Sequence, residues 1–377
     1  MRKRPVKPED LYEITFVSDP QTSPDGKSVL FVKTRIDREK NKYVGNLFTV
    51  DVATREVKQW TQGDKPGGIG RWSPDGRHIA FVSGREGPSA QIFLLPTHGG
   101  EARKLTSLPQ GAIGAIAWSP DSRHIAFTFR PVHPDRTKEK EEERKKNGGS
   151  PPPWEVDDLW YRLDGDGYFG MQRYAILVVD TATGKHRTLY DKSSLDFYSF
   201  DWTPDSKALV VSHTAHKKDA LLKKPNDQVY VVPLRGEPRM VRGLSKGTKD
   251  QVRISPDGKW VAWLGDDREE EVWGMRNTKL YVASLSGGRQ RCLSDKDDYC
   301  LAVATLSDTG AGSEGSLEWS RDGRRIRLMV GTEGTAQLAE ADVKGGRVRL
   351  LTSGEHVLGV GTSSRDGRVT ALTRGTP

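Results

Sequence analysis

The sequence predicts an all-β chain, a seven-bladed β-propeller of four-stranded antiparallel blades whose seventh blade is incomplete at the C-terminus. Three observations carry that reading. A four-residue turn recurs seven times, and most copies lead into an alternating apolar strand. A second, hairpin-like block recurs six times, once after each of the first six turns. No stretch holds a 3.6-residue apolar period over several turns, so long helices are not expected.

The turn is first met as Ser23-Pro24-Asp25-Gly26. It returns at Ser73, Ser119, Thr203 and Ser255, and in a looser Ser-Arg-Asp-Gly form at Ser320 and Ser364. Pro presets φ at the second position, Asp tolerates the third, and Gly supplies positive φ at the end. A basic residue and then an apolar run usually follow: RHIAFV after Gly76, RHIAFT after Ser122, KWVAWL after Gly258. Each copy is a tight turn feeding a strand, with no chemistry of its own.

Distances between the turn aspartates are 50, 46, 84, 52, 65 and 44 residues. The base period is somewhat under 50, with a large insertion in the third unit and a smaller one in the fifth. The second block follows in each complete unit. It reads NLFTVDVATREVKQWT from Asn46, QIFLLPTHGGEARKLT from Gln91 and AILVVDTATGKHRTLY from Ala175. It continues as QVYVVPLRGEPRMVRG from Gln228, KLYVASLSGGRQRCLS from Lys279 and AQLAEADVKGGRVRLLT from Ala336. Each is a hairpin by alternation and turn content. Residues 1–15 are thus an N-terminal extension and 16–377 the propeller.

Trp72, Trp118, Trp202 and Trp319 sit immediately before the turn Ser or Thr; Thr22, Ile254 and Ser363 take that place in the other units. A large residue recurring there is expected to pack one blade against the next, as core and not as a platform for bases or sugars. The insertion of the third unit, about 131–172, has two parts. DRTKEKEEERKKN from Asp135 mixes both charges densely and precedes GGSPPP, as in a solvated loop or a short frayed helix. WEVDDLWYRLDGDGYF from Trp154 is aromatic-rich and carries Arg and Asp. Long loops in compact folds are commonly functional or disordered, and these two parts fit one description each. DDREEE at Asp266–Glu271 and DTGAGSEGS at Asp308–Ser316 read as solvated loops.

Hydrophobic residues make up 34% of the 377 and the mean hydropathy is −0.65, within reach of strands with one exposed face. The strongest apolar run, Tyr174–Val179, is strand-sized, and the basic N-terminus lacks the apolar stretch of a secretory signal, so a cytoplasmic chain is expected. The net charge is +8, with 59 basic residues interleaved with 51 acidic ones. No face-forming block is visible, and neither a nucleic-acid nor a membrane partner is expected. Cys292 and Cys300 are the only cysteines, which excludes a disulfide scaffold and a cysteine zinc site.

The sequence contains no P-loop or H-E-x-x-H motif. His78 and His124 occupy equivalent places in their repeats. His213 and His216, three apart at a strand end, read as a solvated loop ahead of a metal pair. Asp164-Gly165-Asp166-Gly167 matches the start of a calcium loop but lacks its distant Glu. No catalytic residue, metal ligand or cofactor is expected in this chain.

Two stretches resemble a known family. Pro8 to Tyr43, PEDLYEITFVSDPQTSPDGKSVLFVKTRIDREKNKY, resembles the start of acylaminoacyl-peptidase-type members of the prolyl oligopeptidase family. YRLDGDGYF, Tyr161 to Phe169, resembles a segment of the same enzymes' propeller; the turns alone are less specific, since TolB-like propellers share them. The resemblance implies a serine peptidase in which a seven-bladed propeller precedes a C-terminal α/β-hydrolase domain holding a Ser-Asp-His triad. The propeller there covers the triad, admitting short peptides and excluding folded proteins. The sequence stops at Pro377 without a nucleophile elbow, so no triad position carries over. The expectation is a truncated or cleaved piece, inactive alone, whose partners are the hydrolase domain and short or N-acylated peptides. Family members often form oligomers, although no pattern here marks a self-association surface. Tyr161, Arg162, Asp164, Tyr168 and Phe169 are the residues expected to face substrate, with packing of the loop onto the propeller as the competing role. The alternative to a substrate-gating domain is a free-standing TolB-like scaffold that binds proteins.

Overall fold

The computed structural model describes residues 4–64, 67–267, 277–303 and 316–376. Asp266–Glu271 lies outside the described residues from 268 on, and Asp308–Ser316 up to 315. The turn chemistry shapes every unit alike. In the first, Ser23 Oγ donates to Asp25 Oδ1 at 2.7 Å, and that oxygen accepts the Lys27 amide at 3.1 Å. Ser23 Oγ also accepts the Ser28 amide at 2.9 Å, closing the turn onto its strand. The pattern repeats at all seven copies, through Ser364 and Asp366. The serine hydroxyl and then the backbone amide hold the carboxyls of Asp257, Asp322 and Asp366 below the usual range. At the turn's last position the backbone is left-handed, with Gly26 at φ 74° but Ser122 at 62° and Ser206 at 61°. The two serines have a compensation: Ser122 Oγ accepts the Asp75 amide at 3.1 Å and Ser206 Oγ the Asp121 amide at 3.0 Å, each from the preceding blade.

Six four-stranded antiparallel blades result, spanning residues 16–59, 67–104, 111–190, 199–240, 249–292 and 317–350. The expected count of seven is corrected to six. The seventh turn forms only a hairpin, Val357–Ser363 with Thr370–Gly375. That hairpin joins the sixth sheet through one parallel pair, Ala336 with Val357. The physical reason is pairing: among the described residues the two strands of the seventh unit have no outer pair, and they join the sixth sheet instead of making one of their own.

The apolar core lies between blades and not at one centre. Leu30, Leu47 and Phe81 join blades 1 and 2, while Leu280, Leu317 and Ile326 join blades 5 and 6. The recurring tryptophans stitch these layers, as expected. Trp72, Trp118, Trp202 and Trp319 each donate the indole N–H to a carbonyl of the preceding blade, those of Gln21, Arg71, Ala117 and Arg253, at 2.9–3.1 Å. Seams without tryptophan use other groups. Asp201 accepts the Ile254 amide at 2.9 Å, and Glu318 accepts the Ser363 amide at 3.1 Å. The ring closes where Thr22 gives its amide to Thr362 Oγ1 at 3.0 Å and its hydroxyl to the Thr362 carbonyl at 2.5 Å. Outer strands add a second stitch: Arg239 and Arg291 each reach a carbonyl of the next blade, Leu285 and Val343, at 3.0 Å. No helix among the described residues is long and apolar enough to cross a membrane.

Candidate functional site

Strand order decides which face carries the long connections. The turns between first and second strands touch from blade to blade, as Ser122 with Asp75 and Arg365 with Pro24 do. The turns between third and fourth strands lie beside them, since Val52 and Thr97 donate to the Lys27 and Arg77 carbonyls. All these turns therefore share one face. Connections between second and third strands lie on the opposite face, and the 131–172 insertion is one of them. The first strand begins on that face and the last strand ends there.

The insertion leaves the strand His124–Pro131 and forms a helix, Lys138–Lys146, with no buried residue. Thr137 Oγ1 caps it, and Gln110 Oε1 holds the Lys138 amide at 2.8 Å. The chain then folds back on itself. The Arg136 guanidinium lies 3.5 Å from the Trp154 ring centre, a cation–π contact. Gly170 sits at φ 60°, where a Cβ would come within 2.8 Å of the Trp154 ring, so a glycine is required there. Arg162–Leu163 pairs with Gly167–Tyr168 in a two-stranded hairpin, and the Tyr161 carbonyl accepts the amides of Phe169 and Gly170 at 2.9 and 3.0 Å.

The five expected residues divide at this hairpin. Tyr168 is 53% exposed and lies between Trp154 and Tyr161, each ring centre 5.9 Å away. Arg162 reaches the Tyr168 hydroxyl at 3.4 Å, and the fully exposed Asp164 stands 3.8 Å from the Arg162 guanidinium. Phe169 turns inward, 6% exposed, and packs on Trp160 at 5.7 Å.

Beneath Phe169 is an anchor that sequence reasoning missed. Arg130, 6% exposed, places its guanidinium 4.2 Å from the Phe169 ring centre and 4.7 Å from that of Tyr174. It bonds Asp166 of the hairpin turn and, at 3.3 Å, Asp196. Asp196 also accepts the Trp160 indole N–H at 3.0 Å and the Tyr174 amide at 2.5 Å. Burial pushes the Asp196 carboxyl above its ordinary value despite these donors. The one signal for Arg130 was an arginine closing the apolar strand RHIAFTFR; nothing local announced Asp196. Trp154, Leu159, Leu163, Tyr168, Met171 and Phe197 leave an exposed apolar rim around the hairpin.

The two histidines three apart do not converge. His213 is buried, with one ring nitrogen 2.9 Å from the Tyr190 hydroxyl and the other 2.7 Å from the Thr214 carbonyl, and burial lowers its pKa. His216 bonds the Lys224 carbonyl at 2.8 Å instead. Among the described residues no group of three or more His, Cys, Asp or Glu converges to hold a metal. The hairpin offers aromatic faces, one cation and one carboxylate, a set suited to binding an extended chain.

Residues 23–114 match the family described as the dipeptidyl peptidase IV (DPP IV) N-terminal region. The chain is also 32% identical over 344 residues to the uncharacterized peptidase YuxL of Bacillus subtilis, a match covering 91% of this chain and 51% of that one. The chain is a β-propeller similar to part of these peptidases. The chain spans about half the length of the curated relatives it matches. Its fold is that of Pyrococcus horikoshii acylaminoacyl peptidase, with a TM-score of 0.67 at 20% identity over 93% of this chain and 48% of that one. It is also that of the β-propeller domain of the Trilobed protease from Pyrococcus furiosus, with a TM-score of 0.62 at 17% identity, covering 96% of this chain and 92% of that one.

Proposed function

We propose that this chain is the non-catalytic, substrate-gating propeller of a serine oligopeptidase acting on short or N-acylated peptides. The hydrolase domain follows the propeller and docks on the face that carries the insertion. The observation that carries this reading is the braced hairpin: Arg130 and Asp196 fix it from below, while Tyr161, Arg162, Asp164 and Tyr168 stay open to contact. The last strand, Thr370–Gly375, runs toward the same face, so a domain that follows begins beside the hairpin. Phe169 serves as the floor of this site, and half-buried Tyr161 with exposed Arg162, Asp164 and Tyr168 as its peptide-contacting wall.

Gating works by size and by water. A peptide short enough to pass the rim reaches the nucleophile, and a folded chain does not. Aromatic faces and a guanidinium add contacts to an extended backbone without demanding one side-chain sequence. The reading predicts that a fluorophosphonate serine probe labels the enzyme containing this chain and the hydrolase domain but leaves the chain alone unlabelled. Robust labelling of the chain alone overturns it.

A further inference from the structure

The face opposite the insertion has a charge character of its own. It is built from thirteen turns, residues 23–27, 52–56, 73–77, 97–102, 119–123, 181–185, 203–207, 234–238, 255–259, 285–290, 320–324, 343–347 and 364–369. They hold fifteen Lys and Arg against ten Asp and Glu, an excess of five within a chain whose whole excess is eight. All fifteen cations are exposed. Among the described residues only Arg365 and Arg368 commit their guanidinium to a neighbour, the Pro74 carbonyl at 2.6 Å and Asp366 at 3.6 Å. Seven of the ten carboxylates are the turn aspartates, each tied to a hydroxyl and a backbone amide of its own turn. The insertion, by contrast, carries more carboxylates than cations over residues 132–174.

We propose that this turn face docks peripherally on an anionic lipid bilayer. The sequence holds no apolar stretch long enough to span a bilayer, and peripheral docking through charge needs none. The cations are spread around a ring of tight turns with no long loop standing above them, which suits a plane of headgroups. A nucleic acid would call for a groove or a row of aromatics between the cations, and the turns hold neither. Trp260, 38% exposed at the strand end beside Lys259, is placed to sit at a headgroup boundary. Docked this way, the insertion face points to solvent and the hairpin stays accessible. The proposal does not depend on the hairpin's role.

The test is sedimentation of the chain with vesicles of pure phosphatidylcholine and of phosphatidylcholine containing about one-third phosphatidylglycerol, at about 50 and about 300 mM salt. About tenfold more chain is expected on the anionic vesicles at low salt, with most of it released at high salt. Lys27→Glu/Arg77→Glu/Arg123→Glu should abolish binding. Lys217→Glu/Lys218→Glu/Lys224→Glu, an equal charge change on the opposite face, should leave it within about twofold. Circular dichroism and the melting temperature confirm that both variants fold. Absence of binding at low salt, equal loss in both variants, or transfer of the chain from vesicles to a short DNA duplex overturns the proposal.

Discussion

Arg130 and Asp196, 66 residues apart in the chain, are ion-paired at 3.3 Å beneath the insertion, and both are buried. Removing one partner of such a pair leaves an uncompensated buried charge, which costs about 3–5 kcal/mol. Asp196→Ala is therefore expected to lower stability by about that much in denaturant titration. Because the same carboxylate holds the Trp160 indole, limited proteolysis should cut the 154–172 segment faster than in the wild type. Asp196→Asn keeps an acceptor and tolerates the φ of 63° at this position, so its loss should be smaller.

At the seam between blades 2 and 3, Trp118 packs against its neighbours and donates to the Arg71 carbonyl. Trp118→Phe keeps most of the volume but strands that carbonyl, and about 1–2 kcal/mol should be lost. Trp118→Ala adds a cavity and should cost about 3–5 kcal/mol. Equal losses in the two variants would show that the indole N–H contributes nothing.

Ser122 is held at φ 62° while its hydroxyl accepts the Asp75 amide. Two opposing effects of about 1 kcal/mol each meet there, left-handed strain and a hydrogen bond between blades. Ser122→Gly relieves the first and loses the second, so its melting temperature should stay near that of the wild type. Ser122→Ala loses the bond and keeps the strain, and should melt several degrees lower.

The Lys249 ammonium is buried and donates to the Asp227 and Ser245 carbonyls at 2.9 and 2.7 Å. Burial lowers its pKa from the usual lysine value to about 8. Between that value and the unfolded value of about 10.4, the unfolded chain binds the extra proton, so this group's contribution to stability rises with pH. Measured against Lys249→Met, the wild type should gain stability from pH 8 to pH 10. A pH-independent difference would mean that the amine titrates alike in both states.

The parts of the fold that were legible in the sequence are local and repeated. The Ser-Pro-Asp-Gly tetrad writes its turn within six residues, and four tryptophans announce their seams by position. The seams at Ile254, Ser363 and Thr22 were silent, because their partners Asp201, Glu318 and Thr362 are ordinary polar residues far away in the chain. The blade count failed for a related reason. A turn motif marks an inner hairpin, but a blade needs an outer one too, and Val357 met the sixth sheet instead. YRLDGDGYF marked the segment but neither its pairing nor its inside, since neighbouring aromatics alternate across a strand and only tertiary contact decides that Tyr168 faces out and Phe169 in.

The central claim is that the hairpin meets the peptide. Its most direct test is kcat/KM for a short peptide and for a small chromogenic ester, measured on the enzyme that contains this chain, with Arg162→Ala and Tyr168→Ala. A fall of about five- to thirtyfold is expected for the peptide in each variant and little change for the ester, because about 1–2 kcal/mol of peptide contact is lost while the nucleophile is untouched. Unchanged peptide turnover in both variants would contradict it.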